Sequence, residues 1–201
     1  MLAKTYERVE ALSARYHGYI NTRELLREGI TNRQIAMLVD EEWLERVSHG
    51  HYWLERAPYE KPSDYKAIEI CTCNREAVIC AESACYYNGL IDFEPRSVVI
   101  ATRRTNRGKI TVKFPFVRHY FVDSLFELDQ RKVTTDFGEY TVYNTERSIC
   151  DCIRLRSKID VNLFSLIMDN YRKSEDKQTG RLMDYARLMR VEKQARDLLG
   201  L

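Results

Sequence analysis

Two helix-start signals stand ten residues apart in this chain, with a glycine between them. Asn21 is followed three residues later by Glu24, and Thr31 by Gln34. In each pair the first side chain can accept from a helix-start amide while the second reaches back, so backbone donors that a new helix leaves over are satisfied reciprocally. The spacing predicts one helix over 22–28 closed at Gly29 and another over 32–42. Upstream, KTYERVEALSARY over residues 4–16 places Tyr6, Val9, Ala11 and Leu12 near helical spacing, predicting an amphipathic helix ended by His17-Gly18. On the 32–42 segment Ile35, Leu38 and Val39 form the apolar stripe. The opposite face carries Arg33 and Met37, flanked by Asn32, Gln34 and Ala36.

Two short helices joined by a tight glycine turn after a longer first helix form a helix-turn-helix arrangement. The stretch RVSHGHYW (46–53) follows it. Leu44–Val47 and His51–Leu54 are rich in apolar and aromatic residues, and Ser48-His49-Gly50 between them signals a hairpin. Helix, helix-turn-helix and hairpin in that order predict a winged helix, since several local signals agree on one unit. A metal reading of His49-x-His51 supplies two ligands and no further ones at usable spacing. Arg46, Ser48 and His49 suit a hairpin that touches a phosphate backbone; an exposed turn that contacts nothing is the plainer alternative.

Beyond the hairpin, PYEKPS (58–63) reads as a polar linker between an N-terminal domain, 1–57, and a second domain, 64–201. Ser63 or Asp64 is placed to cap a helix through Cys71. Strands are expected over 77–80, 96–101, 110–112 and 116–122, with a hairpin formed by 133–135 and 140–143. Helices are expected over 82–88, from Asn144 or Thr145 to 155, near 160–173, and over 178–199. The fold class is therefore α+β: a winged helix-turn-helix, then a mixed domain with a helical C-terminal third.

With 44% hydrophobic and 31% charged residues the chain has the composition of a folded, water-soluble protein. It has no apolar run of membrane-spanning length, and MLAKTYERVEAL lacks a signal core; a cytoplasmic location is expected. Residues 1–57 hold 8 Lys/Arg against 9 Asp/Glu, so this domain can bind nucleic acid only by local placement of charge. Between Pro95 and Val122 there are 7 basic residues and no acid; Arg103, Arg104, Arg107 and Lys109 form a basic loop that could meet DNA, RNA or an acidic partner, or simply be solvated.

If the winged helix binds DNA, Asn32, Arg33, Gln34 and Met37 lie in the first two turns of the recognition helix, where side chains reach base edges. Arg pairs bidentately with guanine, Asn or Gln with adenine. Asp40, Glu41 and Glu42 sit at the far end of the helix. The cysteines (71, 73, 80, 85, 150, 152) lack Cys-x2-Cys spacing and read as buried free thiols; no metal and no cofactor is expected. The chain has no Walker motif, dinucleotide fingerprint, nucleophile elbow or His-Glu-x-x-His. Glu76, Glu82, Asp92 and Glu94 are the residues from which a metal-dependent nuclease would have to be built, on residue type alone. A winged helix serving as a protein-interaction module is the third alternative.

Residues 18–54 resemble the N-terminal winged helix of the AbiEi-like antitoxins of bacterial abortive-infection (type IV toxin–antitoxin) systems. The likeness rests on Gly18 to Thr22, on Gly29-Ile30, and on Leu44-Glu45-Arg46-Val47 with Gly50 and Tyr52. ICAESACYYNGL, SVVIATRR and NTERSICDCIR resemble segments of the second domain, so the likeness spans about 18–155. It departs at Glu42, where the family often has glycine. The resemblance implies a non-enzymatic transcriptional regulator that represses its own operon through inverted repeats. It also implies an antitoxin that counters a nucleotidyltransferase-type toxin without a stable complex.

Overall fold

The structure, a computed structural model, describes residues 2–55 and 60–200. It is α+β with two sheets. Two compact units emerge: Met1–Arg75 with Lys109–Lys113 and Thr134–Glu139, and Glu76–Gly108 with Phe114–Val133 and Tyr140–Leu201. The expected linker 58–63 lies partly outside the described residues.

In the first unit α1 (Leu2–Ser13) runs into a single 3-10 turn, Ala14–Tyr16. His17 then adopts a left-handed conformation (φ 49°) and Gly18 N–H returns to the Ser13 carbonyl at 3.0 Å. The amphipathic helix expected over 4–16 is thus broken into a helix and a tighter turn. A three-residue strand that the pattern did not reveal follows, β1 (Tyr19–Asn21), then α2 (Thr22–Arg27) and α3 (Asn32–Asp40). β2 (Leu44–Ser48) and β3 (His51–Leu54) complete an antiparallel sheet of order β1-β3-β2. Val9, Leu12, Ile20, Leu25, Ile30, Ile35, Leu38, Leu44, Tyr52 and Leu54 form one buried cluster. Burying about ten such side chains, at roughly 1.5–3 kcal/mol each, is the main force holding these short elements together. α4 (Tyr65–Cys73) also belongs to this unit; Asp64 is its first flanking residue but makes no side-chain cap.

Both expected capping boxes are present, with all four reciprocal bonds between 2.8 and 3.3 Å. α2 and α3 also end alike. After α2, Gly29 at φ 73° donates to the Leu26 carbonyl and Ile30 to that of Leu25. After α3, Glu42 at φ 57° donates to Val39 and Trp43 to Leu38. This double bond closes a helix through one left-handed residue, and it ends α3 at Asp40 rather than at residue 42.

The second unit is built on a five-stranded sheet of order β6-β5-β4-β8-β7, of which residues 134–139 at the β7–β8 turn fall in the first unit. Its strands are β4 (Val78–Ile79), β5 (Val98–Arg103), β6 (Phe116–Phe121), β7 (Gln130–Thr135) and β8 (Gly138–Tyr143). The expected strand at 110–112 does not form. β5 and β6 are parallel neighbours, Val98 beside Phe116 through Arg103 beside Phe121. The connection between them has to return the chain to the end of the sheet where β5 begins, so 104–115 is spent on the crossover.

The helices are α5 (Ala81–Tyr87), α6 (Asp123–Phe126), α7 (Thr145–Arg154), α8 (Val161–Lys173), α9 (Thr179–Leu188) and α10 (Glu192–Leu199). The single helix expected over 178–199 is two, because Arg190 at φ 61° breaks it with the same pair of bonds, Arg190 to Arg187 and Val191 to Ala186. Seven of the ten residues of α7 have less than 5% of their surface exposed. They include the ion pair between Arg147 and Asp151, both fully buried, one helical turn apart. The Arg147 guanidinium lies 4.5 Å from the Tyr143 ring and 5.4 Å from that of Phe121, and donates to the Leu125 carbonyl at 3.0 Å.

A candidate nucleic-acid interface

The exposed side of α3 is set by what its other side must do. Ile35 and Leu38 are buried, so at 100° per residue Asn32, Arg33, Ala36 and Met37 stand in solvent. Met37 keeps 39% of its surface exposed, one turn from Arg33. Gln34 occupies a different place. Its Oε1 accepts from the Thr31 amide at 2.8 Å and its Nε2 donates to Thr5 Oγ1 on α1 at 3.3 Å. Both ends of that amide are therefore engaged in fixing the first turn of α3 against α1.

The β2–β3 hairpin pairs Leu44 with Leu54, Glu45 with Trp53, Arg46 with Tyr52 and Ser48 with His51, with a bulge between Arg46 and Ser48. Such an extra residue bends a strand and sharpens its twist. Arg46 is exposed, its guanidinium 5.9 Å from the Tyr52 ring centre. His49 is exposed at the tip. Ser48 is half-buried, and its Oγ lies 3.2 Å from His51 Nδ1, which is also 3.2 Å from the His49 carbonyl oxygen. The His51 ring thus sits against both the Ser48 side chain and the His49 backbone, across the turn.

The hairpin tip is tied to α2. Thr22 N–H donates to the Gly50 carbonyl at 2.8 Å, and Thr22 Oγ1 lies 3.4 Å from the same oxygen. Gly50 has φ 74°, and a Cβ there would come within 3.3 Å of Thr22 Oγ1. Glycine thus meets two demands at once, a left-handed backbone and a close approach. Thr22 was legible only as a helix start; its bond to a residue 28 positions on has no local signature.

A second feature of this unit has no signal in the sequence pattern. Lys61 Nζ lies 2.6 Å from both Glu45 on β2 and Glu69 on α4; Lys113 reaches Glu45 at 3.1 Å and Tyr19 O–H donates to Glu69 at 2.9 Å. Burial raises the Glu69 carboxyl pKa despite Lys61. Burial also acts on Glu45, but there the two lysines prevail and lower it. The Tyr19 hydroxyl is pushed well up, by burial first and by Glu69 second.

In the second unit the basic loop divides into engaged and exposed cations. Arg103 is paired with Glu127 at 2.7 Å and Asp123 at 3.2 Å, and its guanidinium sits 4.8 Å from the Phe126 ring. Arg104 and Arg107 are exposed. Arg118 on β6 clasps the loop, donating to Thr102 Oγ1 at 2.8 Å, the Gly108 carbonyl at 2.7 Å and Asn106 Oδ1 at 3.0 Å. Lys109 is exposed and belongs to the first unit.

Among the described residues no three His, Cys, Asp or Glu side chains are grouped so as to hold a metal ion. All six cysteines are free and five are buried, with Cys85 and Cys152 Sγ atoms 3.8 Å apart. No helix among the described residues is long and apolar enough to cross a membrane.

Residues 7–54 match the family model described as a transcriptional regulator, AbiEi antitoxin. That segment runs from α1 to the last strand of the hairpin, so the likeness to this family is one of the N-terminal segment. No curated protein matches the sequence. Among solved structures the chain is similar to the RV2827C protein from Mycobacterium tuberculosis, at a TM-score of 0.61 and 13% identity, over 98% of this chain and 81% of that one. At that identity the likeness is one of fold alone.

Proposed function

We propose, from the AbiEi-like assignment of residues 7–54, that this protein is a DNA-binding transcriptional regulator whose first 57 residues act as a winged helix. In this reading α3 enters the major groove of an operator. Asn32, Arg33 and Met37 face the base edges, and Gln34 holds the start of the helix at the right height. Arg46, Ser48 and His49 on the hairpin lie along the phosphate backbone. The observation that carries the reading is the bond from Thr22 to Gly50. It joins the hairpin tip to the helix before α3, so two exposed, cation-bearing elements are held ready for one ligand with no ordering left to do on binding.

The finer reading follows the family: repression of the protein's own operon through inverted repeats, and an antitoxin role for residues 64–201 against a nucleotidyltransferase-type toxin, without a lasting complex. The AbiEi antitoxin description supports the regulator and antitoxin themes together. No enzymatic step is assigned to the chain.

The test is binding of the purified protein to DNA from upstream of its own gene, against a scrambled fragment, across a salt series. Preference for the native fragment that persists at moderate salt is expected. Equal, weak binding to both fragments would remove DNA reading from the first unit.

A further inference from the structure

The second unit contains a cavity of about 400 Å³ whose walls come from the end of α5, the start of β7, the first turn of α7 and the segment between α8 and α9. Arg131, Lys177 and Arg181 line it. None of the three is ion-paired among the described residues, and two are held in place by neutral oxygens. Arg131 donates to Asn88 Oδ1 at 2.7 Å, and Asn88 is itself fixed by donating to the Tyr143 carbonyl at 2.9 Å. Lys177 Nζ donates to the carbonyls of Arg172 and Ser174, each at 3.0 Å, which leaves one of its three protons uncommitted.

Two carboxylates also line the space. Glu146 is buried and already engaged, its Oε1 accepting from the Gln178 amide at 3.0 Å and facing the Tyr171 hydroxyl at 3.5 Å. Asp176 is exposed. The available charge around the cavity is therefore positive, carried by two guanidinium groups and one ammonium.

We propose that this cavity binds a phosphate-bearing small molecule of mononucleotide size. A guanidinium offers paired N–H groups that match two oxygens of one phosphate, and Lys177 supplies a third, point-like charge. Oriented cations lose little freedom on meeting such a ligand. The volume falls in the range of small-molecule pockets, too small for a folded partner. The family match covers residues 7–54 and does not reach this place.

The experiment is calorimetric titration of the full-length protein with ATP, GTP, CTP and UTP, with adenosine, inorganic pyrophosphate and a 5′-phosphorylated oligonucleotide as separate arms. At least one triphosphate should bind with a dissociation constant below about 1 mM, and adenosine should not bind. Lys177→Glu and Arg181→Glu should each weaken that binding by roughly tenfold or more, as expected for losing a charge-assisted contact. Lys193→Glu, an equal change of net charge at an exposed lysine outside the cavity, should leave it unchanged. Absence of saturable binding by every triphosphate, or an equal loss in Lys193→Glu, would overturn the site. Pyrophosphate or the oligonucleotide binding as tightly as the best triphosphate would overturn the assignment to a small molecule of mononucleotide size.

Discussion

At the scale of single residues, four helices among the described residues end through the same pair of backbone bonds, and two of these use the residue best suited to it. Gly29 and Gly89 occupy the left-handed position after α2 and α5; Glu42 and Arg190 occupy it after α3 and α9, at φ 57° and 61°. A side chain bearing Cβ meets the following carbonyl in that conformation, at a cost of about 1 kcal/mol relative to glycine. Glu42→Gly and Arg190→Gly are therefore each expected to raise unfolding free energy by roughly 0.5–1 kcal/mol, read as a higher midpoint in urea with unchanged slope. A lower midpoint would mean that these side chains contribute contacts worth more than the strain. The buried Arg147–Asp151 pair should behave in the opposite sense. Asp151→Ala leaves a fully buried guanidinium uncompensated and should cost about 3–5 kcal/mol, while Arg147→Met with Asp151→Leu should recover much of that loss.

At the scale of elements, what was legible followed how local the cause is. The boxes at Asn21/Glu24 and Thr31/Gln34 fix the starts of α2 and α3 within three residues, and both starts were placed correctly. The hairpin at 44–54 was legible for the same reason. β1 was not: its three residues become a strand only by pairing with β3, Tyr19 opposite Trp53. The break at Arg190 was hidden because arginine is an ordinary helix residue and its left-handed conformation is imposed by the packing of Met189 and Val191. Conversely, Ile110–Val112 has strand composition but sits in a crossover. The candidate site splits likewise: exposed α3 residues follow from periodicity, while the Thr22–Gly50 tie and the Lys61 cluster join distant segments. Gly50→Ala tests the tie. Left-handed strain and the approach to Thr22 should together cost about 1–3 kcal/mol, and adding Thr22→Ala, which removes the Oγ1 approached, should not relieve the backbone part. Unchanged stability in Gly50→Ala would show that the tip is not held.

The Lys61 cluster joins β2 to α4 and carries a pH signature. Glu69 has a raised pKa, so the folded state takes up its proton more readily than the unfolded chain, and this group's contribution is lost as pH rises through the folded value. Glu45 has a lowered pKa, and its contribution is lost as pH falls. The two slopes oppose each other in the acid range. In Lys61→Met the lysine's lowering influence on both carboxyls is removed, leaving Lys113 on Glu45 and the Tyr19 hydroxyl on Glu69. The variant should be less stable at pH 7 by about 3 kcal/mol, with the deficit shrinking as the pH is lowered towards about 5. A deficit that stays constant over that interval would assign the loss to the lysine ammonium over the Trp53 and Tyr65 rings rather than to its pairing with the carboxyls.

At the scale of the whole molecule, net charge is a poor guide to the function proposed. The chain carries +2 overall, and residues 1–57 lean acidic by one charge. A protein of that balance gains little from counterion release in bulk, so its DNA affinity has to come from a few placed cations. Arg33 and Arg46 are exposed cations on α3 and on the hairpin, and the reading gives them different work. Arg33→Ala removes a base contact. It should lower affinity for the native operator by roughly 1–3 kcal/mol, leave affinity for scrambled DNA nearly unchanged, and so narrow the ratio between them. Arg46→Ala removes a phosphate contact. It should weaken both fragments alike and reduce the slope of log affinity against log salt by about one. The two variants differ from the parent by the same charge, so a bulk electrostatic account predicts the same outcome for both. Identical behaviour would reject the assignment of reading to α3 and of backbone contact to the hairpin, even if the protein binds DNA.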